Sequence, residues 1–293
     1  MCIKITALLA AHNRRESTIK SLENLYRQNG IDQSFALTVV LADDGSTDGT
    51  SQEIARLLPQ VDIVQGNGNL YWGGGMSLAY ERARGDKPDF YLLLNDDTYL
   101  YSDAIQRSLC TYIDKSAGEA AEHIVIGSTV TPNSNEISYG GEIRVSRWHP
   151  FRYNRLSAKE TTQACDTFNG NFVLVHRSVV DKIGFLDNRF THYFGDIDYG
   201  LTAAKAGCGL WVAPGIIGEC ARNDSNTHWD SSSYSLAKRV RMFFDVKGMP
   251  VKETIVFCRK HGGVAWPLFW LIPIFRGLLF PTDYNTKPKN TSD

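Results

Sequence analysis

The sequence predicts an α/β fold: a mixed, mostly parallel sheet flanked by helices, with a C-terminal helical extension. Three observations lead there. Short apolar runs alternate with amphipathic segments through about residue 130, the apolar runs stop at polar or acidic corners, and a basic then strongly apolar stretch closes the chain. Strand, helix, strand in that rhythm implies parallel pairing through right-handed crossovers. With 293 residues, 43% of them hydrophobic, the chain has ample material for a buried core.

Residues 3–10 read as a buried first strand, and 16–27 place Ile19, Leu22, Leu25 and Tyr26 on one helical face. Residues 35–42 form a second strand that stops at Asp43-Asp44-Gly45-Ser46. Thr47 or Asp48 caps the helix that follows through Leu58, and Pro59 marks its exit. Residues 61–64 are a third strand, 76–84 a helix and 90–94 a fourth strand. Beyond residue 130 the pattern is less periodic. Residues 137–145 suggest a hairpin turning at Gly140-Gly141, 169–175 another strand, and 178–183 and 196–206 two helices, the second stopped by Gly207. From Ser235 the chain reads helical and basic, then apolar over 264–280. The expected division is a main domain over 1–221 and a helical extension over 222–293.

A formal net charge of -1 provides no basic field of the kind that gathers nucleic acid. Six dispersed cysteines form no C-x-x-C pair and, with seven histidines, no zinc spacing, which suits the reduced thiols of a cytoplasmic protein. The apolar run at 5–11 lacks a preceding basic segment and reads as a strand, not a secretory signal.

Sheets of this kind bind ligands at the carboxyl ends of their strands. Those ends are His12-Asn13-Arg14, Asp43-Asp44, the loop 66–75 and Asn95-Asp96-Asp97. A buried strand that ends in two adjacent carboxylates needs compensation, and Mg2+ or Mn2+ supplies it while bridging to phosphate oxygens. Alternate strand side chains face opposite ways, so Asp97 is assigned to the metal and Asp96 to a ribose hydroxyl or to support. A plain turn with a helix cap is the other account of the same residues. Asp43 and Asp44 are suited to a pyrimidine N–H or a ribose hydroxyl, or else to capping a βα turn. In the glycine-rich loop, Asn69 and Gly75 lie where backbone approaches a ligand and a helix start faces an anion. The loop lacks the G-x-G-x-x-G order and follows the third strand, against a dinucleotide-binding dehydrogenase. Asp196 and Asp198 open a helix whose dipole favours an ionised carboxylate, suited to a general base; capping alone also explains them.

In order and spacing these segments resemble glycosyltransferase family 2, over roughly residues 3–220. The resemblance rests on Ala11-His12-Asn13-Arg14, on Ala42-Asp43-Asp44-Gly45-Ser46-Thr47-Asp48-Gly49-Thr50, and on Leu94-Asn95-Asp96-Asp97. It continues in Phe168-Asn169-Gly170-Asn171-Phe172 and in the stretch from Ile183 through Gly195-Asp196-Ile197-Asp198-Tyr199-Gly200-Leu201. It implies the A-type nucleotide-sugar transferase fold. The implied reaction is an inverting, metal-dependent transfer of a hexosyl or deoxyhexosyl group from a UDP- or dTDP-sugar to a saccharide, including a lipid-linked one, in cell-surface polysaccharide or O-antigen (lipopolysaccharide) synthesis. Nucleotide contacts are then expected at Ala11, Asn13, Arg14, Asp43, Asp44, Asn69, Gly75, Asn95 and Asp96, the metal at Asp97, and the base at Asp196. Trp72, Asn169, Gly170, His192 and Asp198 fall to the acceptor and sugar. Of the family's acidic pair at the base only Asp196 remains, and Thr202 stands where relatives often carry arginine. His228 is the nearest candidate for the histidine that relatives place near the phosphates and metal, although Gly218-Glu219-Cys220 occupies the better alignment. Packed or surface histidines account equally for His192 and His228, and core burial for Trp72 and Trp148.

Lys238, Arg239, Arg241, Arg259 and Lys260 precede an apolar stretch broken by Pro267, Pro273 and Arg276, too interrupted to span a bilayer. It either lies peripherally on the inner face of the plasma membrane beside anionic lipid, or packs on the main domain or on a second copy in a homo-oligomer. Two rival functions remain. A sugar-nucleotide nucleotidyltransferase needs a glycine-rich loop and lysine after the first strand, which His12-Asn13-Arg14-Arg15 does not supply. A non-catalytic glycan-binding relative has no use for Asp97 and Asp196.

Overall fold

The computed structural model describes residues 2–117, 121–146, 149–191, 194–222, 230–243, 251–280 and 282–283. The chain divides into two compact units, one of Met1–Thr191 with Gly195–Arg222, the other of His192–Phe194 with Asn223–Asp293.

In the first unit, β1 (Ile3–Ala11), α1 (Arg15–Tyr26), β2 (Phe35–Asp43), α2 (Thr50–Leu57), β3 (Asp62–Gln65), α3 (Tyr71–Ala83) and β4 (Phe90–Leu94) follow the predicted alternation. Then come β5 (Tyr99–Leu100), α4 (Ala104–Ser116), β6 (His123–Val130), β7 (Ile137–Tyr139), β8 (Gly141–Ser146), β9 (His149–Arg155), β10 (Gln163–Ala164) and β11 (Thr167–Phe168). The unit closes with β12 (Phe172–His176), α5 (Arg177–Ile183), α6 (Gly195–Lys205) and β13 (Gly209–Glu219). The large sheet runs β10-β13-β6-β12-β4-β1-β2-β3, with β5 on β13 and β7 on β6. A small sheet runs β11-β8-β9.

Pairing is parallel from β4 through β1 and β2 to β3, and again between β6 and β13, whereas β12 is antiparallel to both β4 and β6. One edge of the sheet therefore gathers the carboxyl ends of β1, β2, β3, β4, β6 and β13 together with the start of β12. The register fixes it: Ala11 lies opposite Asp43, Asp43 opposite Gln65, Leu94 opposite Phe172 and Val130 opposite Glu219.

Continuous apolar strands follow from burial on both faces. Ile5, Ala7 and Leu9 of β1, Val39 and Leu41 of β2, and Leu92 and Leu94 of β4 face a core shared with Leu22, Leu25, Ile105 and Leu109. The alternate residues Leu8, Val40, Ala42, Tyr91 and Leu93 face Met76, Ala79, Val179, Val180 and Tyr199.

Two elements differ from expectation. The third helix starts at Tyr71, five residues before Met76, and runs through Gly73-Gly74-Gly75. Tertiary contact outweighs glycine's poor helix propensity there. A Cβ on Gly73 would stand 2.2 Å from the Phe190 carbonyl oxygen, and one on Gly75 2.6 Å from Cβ of Ala10. The helix can lie this close to β1 only where side chains are missing. Residues 137–145, in turn, are not a hairpin: β7 pairs with β6, while β8 pairs with β9 and β11. Gly140-Gly141 is the point where the chain leaves one sheet for the other. The sequence pattern also gave no warning of α4, β6 or β13, the last two of which complete the far half of the sheet.

The second unit contains α7 (Leu236–Phe243), α8 (Val251–His261) and α9 (Trp266–Leu279). Arg239, buried in α7, donates from Nη2 to the Leu278 carbonyl at 3.1 Å and ties α7 to α9. Among the described residues no helix is long and apolar enough to cross a membrane.

The packing of α3 on β1 gives a direct expectation. Gly75→Ala should destabilise the fold by roughly 1–3 kcal/mol through overpacking. Gly85→Ala, where an added Cβ meets nothing within 4 Å, should stay within about 0.5 kcal/mol of the parent. Urea unfolding of both variants checks it; equal stability would mean that α3 does not approach β1 this closely.

Candidate active site

At the shared sheet edge, β1 ends in His12 and Asn13. Asn13 takes φ 52°, a left-handed conformation that asparagine tolerates. Its amide oxygen accepts from Thr47 N at 2.7 Å and its own N–H donates to Ser46 Oγ at 2.9 Å. His12 Nδ1 lies 2.7 Å from the Asp44 carbonyl oxygen. The ends of β1 and β2 are thus laced together, and α1 springs from that join with Arg14 directed along the edge. An open depression of about 380 Å³ lies here, lined by Asn13, Arg14, Arg15, Glu16, Ser17 and Asp48.

Arg14 meets the acidic corner. Its Nη2 donates to Asp97 Oδ2 at 2.6 Å, and Nη1 stands 3.5 Å from Asp96 Oδ1. Adjacent strand carboxylates diverge unless a turn intervenes, and here one does: β4 stops at Leu94, and Thr98 N bonds back to the Asn95 carbonyl at 3.2 Å. That turn swings both carboxylates to one guanidinium. Helix α1 braces it, with Ser21 Oγ donating to the Thr98 carbonyl at 2.9 Å and Thr18 Oγ1 to Asp96 Oδ2 at 3.4 Å. Burial, reinforced by Asp97 and opposed by Arg14, pushes the Asp96 carboxyl up to about 7.

The other oxygen of Asp97 meets a residue that the sequence did not assign. Cys220, just past β13, donates its thiol to Asp97 Oδ1 at 3.4 Å and accepts from Asn171 Nδ2 at 3.2 Å. Burial, then Asp97, pushes this thiol up to about 12, so it stays protonated as a donor. Its position one residue beyond the final strand was the available signal, hidden among scattered cysteines. Among the described residues no group of three or more His, Cys, Asp and Glu side chains converges as a ready ligand set.

Asp43 and Asp44 are buried and turned inward. Asp43 accepts from Ser46 N at 2.9 Å and from the Ser51 hydroxyl. Asp44 accepts from Gly68 N at 2.7 Å, Leu70 N at 2.8 Å and Tyr71 N at 3.1 Å, so one carboxylate shapes the glycine-rich loop and satisfies the first donors of α3. Asn69, exposed, sits on that loop, and Ala11 and Gly75 are enclosed in the sheet and helix behind it.

The opposite wall is built around Trp72. Its Nε1 donates to Asn95 Oδ1 at 2.7 Å, and its ring lies so close to Gly170 that a Cβ there would stand 2.4 Å from Cζ2. Gly170 N donates to Asp196 Oδ2 at 2.8 Å, while Asp196 Oδ1 accepts from Ile197 N at 2.8 Å. Asn95, Trp72, Asn169-Gly170 and Asp196 are therefore contiguous. Burial raises the Asp196 pKa against the pull of the backbone N–H groups of Gly170, Ile197 and Asp196 itself, a shift toward a stronger base. Asp198 is 1% exposed and, two positions along α6, points about 200° away from Asp196. His192, His228 and Trp148 lie outside the described residues.

Comparison with known proteins follows this geometry. The model for "Glycosyl transferase family 2" matches residues 6–184. Among curated proteins, the N-acetylglucosaminyl-diphospho-decaprenol L-rhamnosyltransferase of Mycobacterium tuberculosis is 25% identical over 192 residues, 58% of this chain and 62% of the relative. The chain thus spans less than two thirds of that relative's length. Among solved structures, GalNAc-T7 with UDP, GalNAc and Mn2+ superposes with TM-score 0.61 at 12% identity, over 83% of this chain and 48% of the other. S. aureus TarS in complex with UDP-GlcNAc superposes with TM-score 0.56 at 14% identity, over 88% and 66%. At these identities the structural likeness establishes the fold, the A-type glycosyltransferase architecture.

The acidic corner predicts a pH signature. Asp96 holds its proton more tightly folded than unfolded, so this group favours the folded state below about pH 4 and ceases to do so as pH rises through about 7. In the presence of EDTA, Asp96→Asn should gain stability relative to the parent progressively between those limits. Urea midpoints across the range measure it; parallel curves would show that Asp96 carries no raised pKa.

Proposed function

The chain belongs to glycosyl transferase family 2, and on that premise we propose that it transfers a sugar, with inversion, from a uridine or deoxythymidine diphosphate to a hydroxyl of a lipid-linked saccharide. The observation that carries the reading is the meeting, at one sheet edge, of an Arg14–Asp96–Asp97 corner and an Asp196 wall, joined through Asn95 and Trp72. The printed name of the M. tuberculosis relative supports a lipid-linked acceptor, and the nucleotides in the TarS and GalNAc-T7 structures support a nucleoside-diphosphate donor.

The donor set suits a divalent ion. Two buried carboxylates share one guanidinium, leaving this trio one positive charge short, and carboxylate oxygens are hard donors of the kind Mg2+ and Mn2+ select. Asp97 and Asp96 would hold the ion, which when bound helps neutralise the departing diphosphate. Arg14, on a flexible stem, follows the developing charge on the phosphate oxygens. Asn13 and the loop fixed by Asp43 and Asp44 frame the nucleoside, with lone pairs of both acids still available to it. Trp72 offers a ring face to the sugar. The acceptor oxygen bonds to the anomeric carbon as the bond from that carbon to the diphosphate oxygen breaks. The bonding pair leaves with the diphosphate, and the hydroxyl proton passes to Asp196.

A lipid-linked acceptor suits an enzyme held at a cytoplasmic membrane surface, and α9 has the character for it. Leu268, Ile272, Phe275 and Leu279 are 58%, 58%, 58% and 67% exposed and recur at helical spacing along one face. Its 14 residues reach about 21 Å, short of a bilayer core, so the helix lies along the interface instead. From Thr254 to Thr282 the sequence has no Asp or Glu but carries Arg259, Lys260 and Arg276, which complements an anionic bilayer.

Two measurements test the reading. Asp196→Asn should lower kcat by roughly 10²- to 10⁴-fold while UDP or dTDP still raises the melting temperature in Mn2+ as in the parent. Full transfer by that variant removes the base. Separately, Ile272→Asp with Phe275→Asp should weaken binding to vesicles containing phosphatidylglycerol at least about tenfold. If the pair instead abolishes a concentration-dependent dimer and leaves vesicle binding unchanged, the stripe belongs to a second copy of the chain.

A further inference from the structure

The small sheet carries an acidic residue that none of the assignments above uses. Glu142 lies on the central strand β8, directly opposite Arg155 of β9 and directly opposite Thr167 of β11. Residues paired in this way share a face of the sheet. That face is covered by α6: Thr167 Oγ1 donates to the Ile197 carbonyl at 2.9 Å, and a Cβ on Gly200 would stand 2.6 Å from Thr167 Oγ1. The row Arg155–Glu142–Thr167 therefore lies under the first turns of α6, which begin with Asp196.

We propose that Glu142 is a positioning residue for the transfer step, holding the Asn169-Gly170 turn that aims Asp196 and setting a second carboxylate behind the acceptor side. The inference rests on Asp196 being the base. The connection is short. Asn169 lies beside the Glu142 carboxylate and favours its ionised form, and the next residue, Gly170, donates its N–H to Asp196 Oδ2 at 2.8 Å. The backbone of the same turn is fixed by Asn169 N on the Gly140 carbonyl at 3.0 Å, one residue before β8.

The charges around it are few. Arg155 Nη2 stands 4.0 Å away, Asp196 acts on it from α6, and Tyr153 and Cys165 are the other titratable neighbours, with Asp166 beyond them. Burial, with Asp196 adding to it, raises the Glu142 pKa; Arg155 and Asn169 work against the rise. Two carboxyls that sense each other titrate in two steps that belong to the pair.

Glu142→Gln isolates the charge, because it keeps the shape of the side chain and an acceptor oxygen. Glu142→Ala removes both. The proposal expects the acid limb of log kcat against pH to steepen toward a slope of two in the parent and to fall to one in Glu142→Gln, with kcat lower by roughly tenfold. Glu142→Ala should lose roughly 100-fold, with partial recovery in Glu142→Asp. UDP affinity, read by melting-temperature shifts, should stay within about twofold in all three. A Glu142→Gln profile that superimposes on the parent, with unchanged kcat, overturns the proposal even where Asp196→Asn is inactive. An active Asp196→Asn removes the base and this inference together. Should Glu142→Ala fail to fold, the isosteric Gln variant alone decides.

Discussion

Two adjacent carboxylates at the end of a buried strand have to be compensated, and the organisation of this edge follows from that need. Water solvates Asp96 and Asp97 poorly where they stand, with side chains 8% and 9% exposed. An uncompensated charge in such a place costs several kcal/mol. One guanidinium reaches both, and it can do so only because β1 runs parallel to β4 and delivers Arg14 to the same edge. Thr18 and Ser21, one and two turns further along α1, then lock the acidic turn from the same helix. The parallel pairing and the acidic site are thus one arrangement, since an antiparallel β1 would send Arg14 to the opposite edge.

The acids of this edge divide into two kinds by what holds them. Asp43, Asp44 and Asp196 accept backbone N–H groups, and those bonds change only if the chain around them refolds. Asp96 and Asp97 are held by a side chain on a rotatable stem and by hydroxyl and thiol donors. A ligand can take the place of Arg14 through a rotamer change of that side chain alone, with no backbone bond broken. Dislodging three backbone donors from Asp44 would cost far more. The fixed acids therefore frame loops, and on the proposed reading the exchangeable pair is where a charged ligand would enter.

That division also explains what the sequence disclosed. Local patterning suffices for strands β1 to β4, since each is a short apolar run ended by turn residues. The acidic corners stand out because charge after a buried strand is conspicuous in one dimension. What patterning misses depends on partners distant in sequence. The start of α3 is decided by Asp44 and by carbonyls at Phe190 and Thr191, not by the local glycines. Whether Asp96 and Asp97 diverge or converge depends on a turn and on Arg14, more than 80 residues earlier. Glu142 has no local signature, because it gains its meaning from cross-strand neighbours, and the place of Cys220 just past β13 becomes a signal only once that strand is known. Pairing β8 with β9 and β11, instead of folding it back on β7, is what carries Glu142 to Asn169.

On the proposed reading, the same arrangement keeps donor and acceptor apart. The Arg14 corner and the Asp196 wall meet through Asn95 and Trp72, and Asn95 belongs to both: it opens the acidic turn through its carbonyl and receives the indole N–H on its side chain. A displacement with inversion requires the leaving group and the attacking hydroxyl to approach the anomeric carbon from opposite sides. A site with cationic compensation at one end, a buried carboxylate at the other and an aromatic plate between them has the polarity such a reaction needs. Neither end supplies that polarity alone. It arises because a parallel strand pair delivers the arginine while an antiparallel neighbour, β12, brings the Asn169-Gly170 turn to the same edge. A mixed sheet is therefore part of the chemistry as well as of the fold.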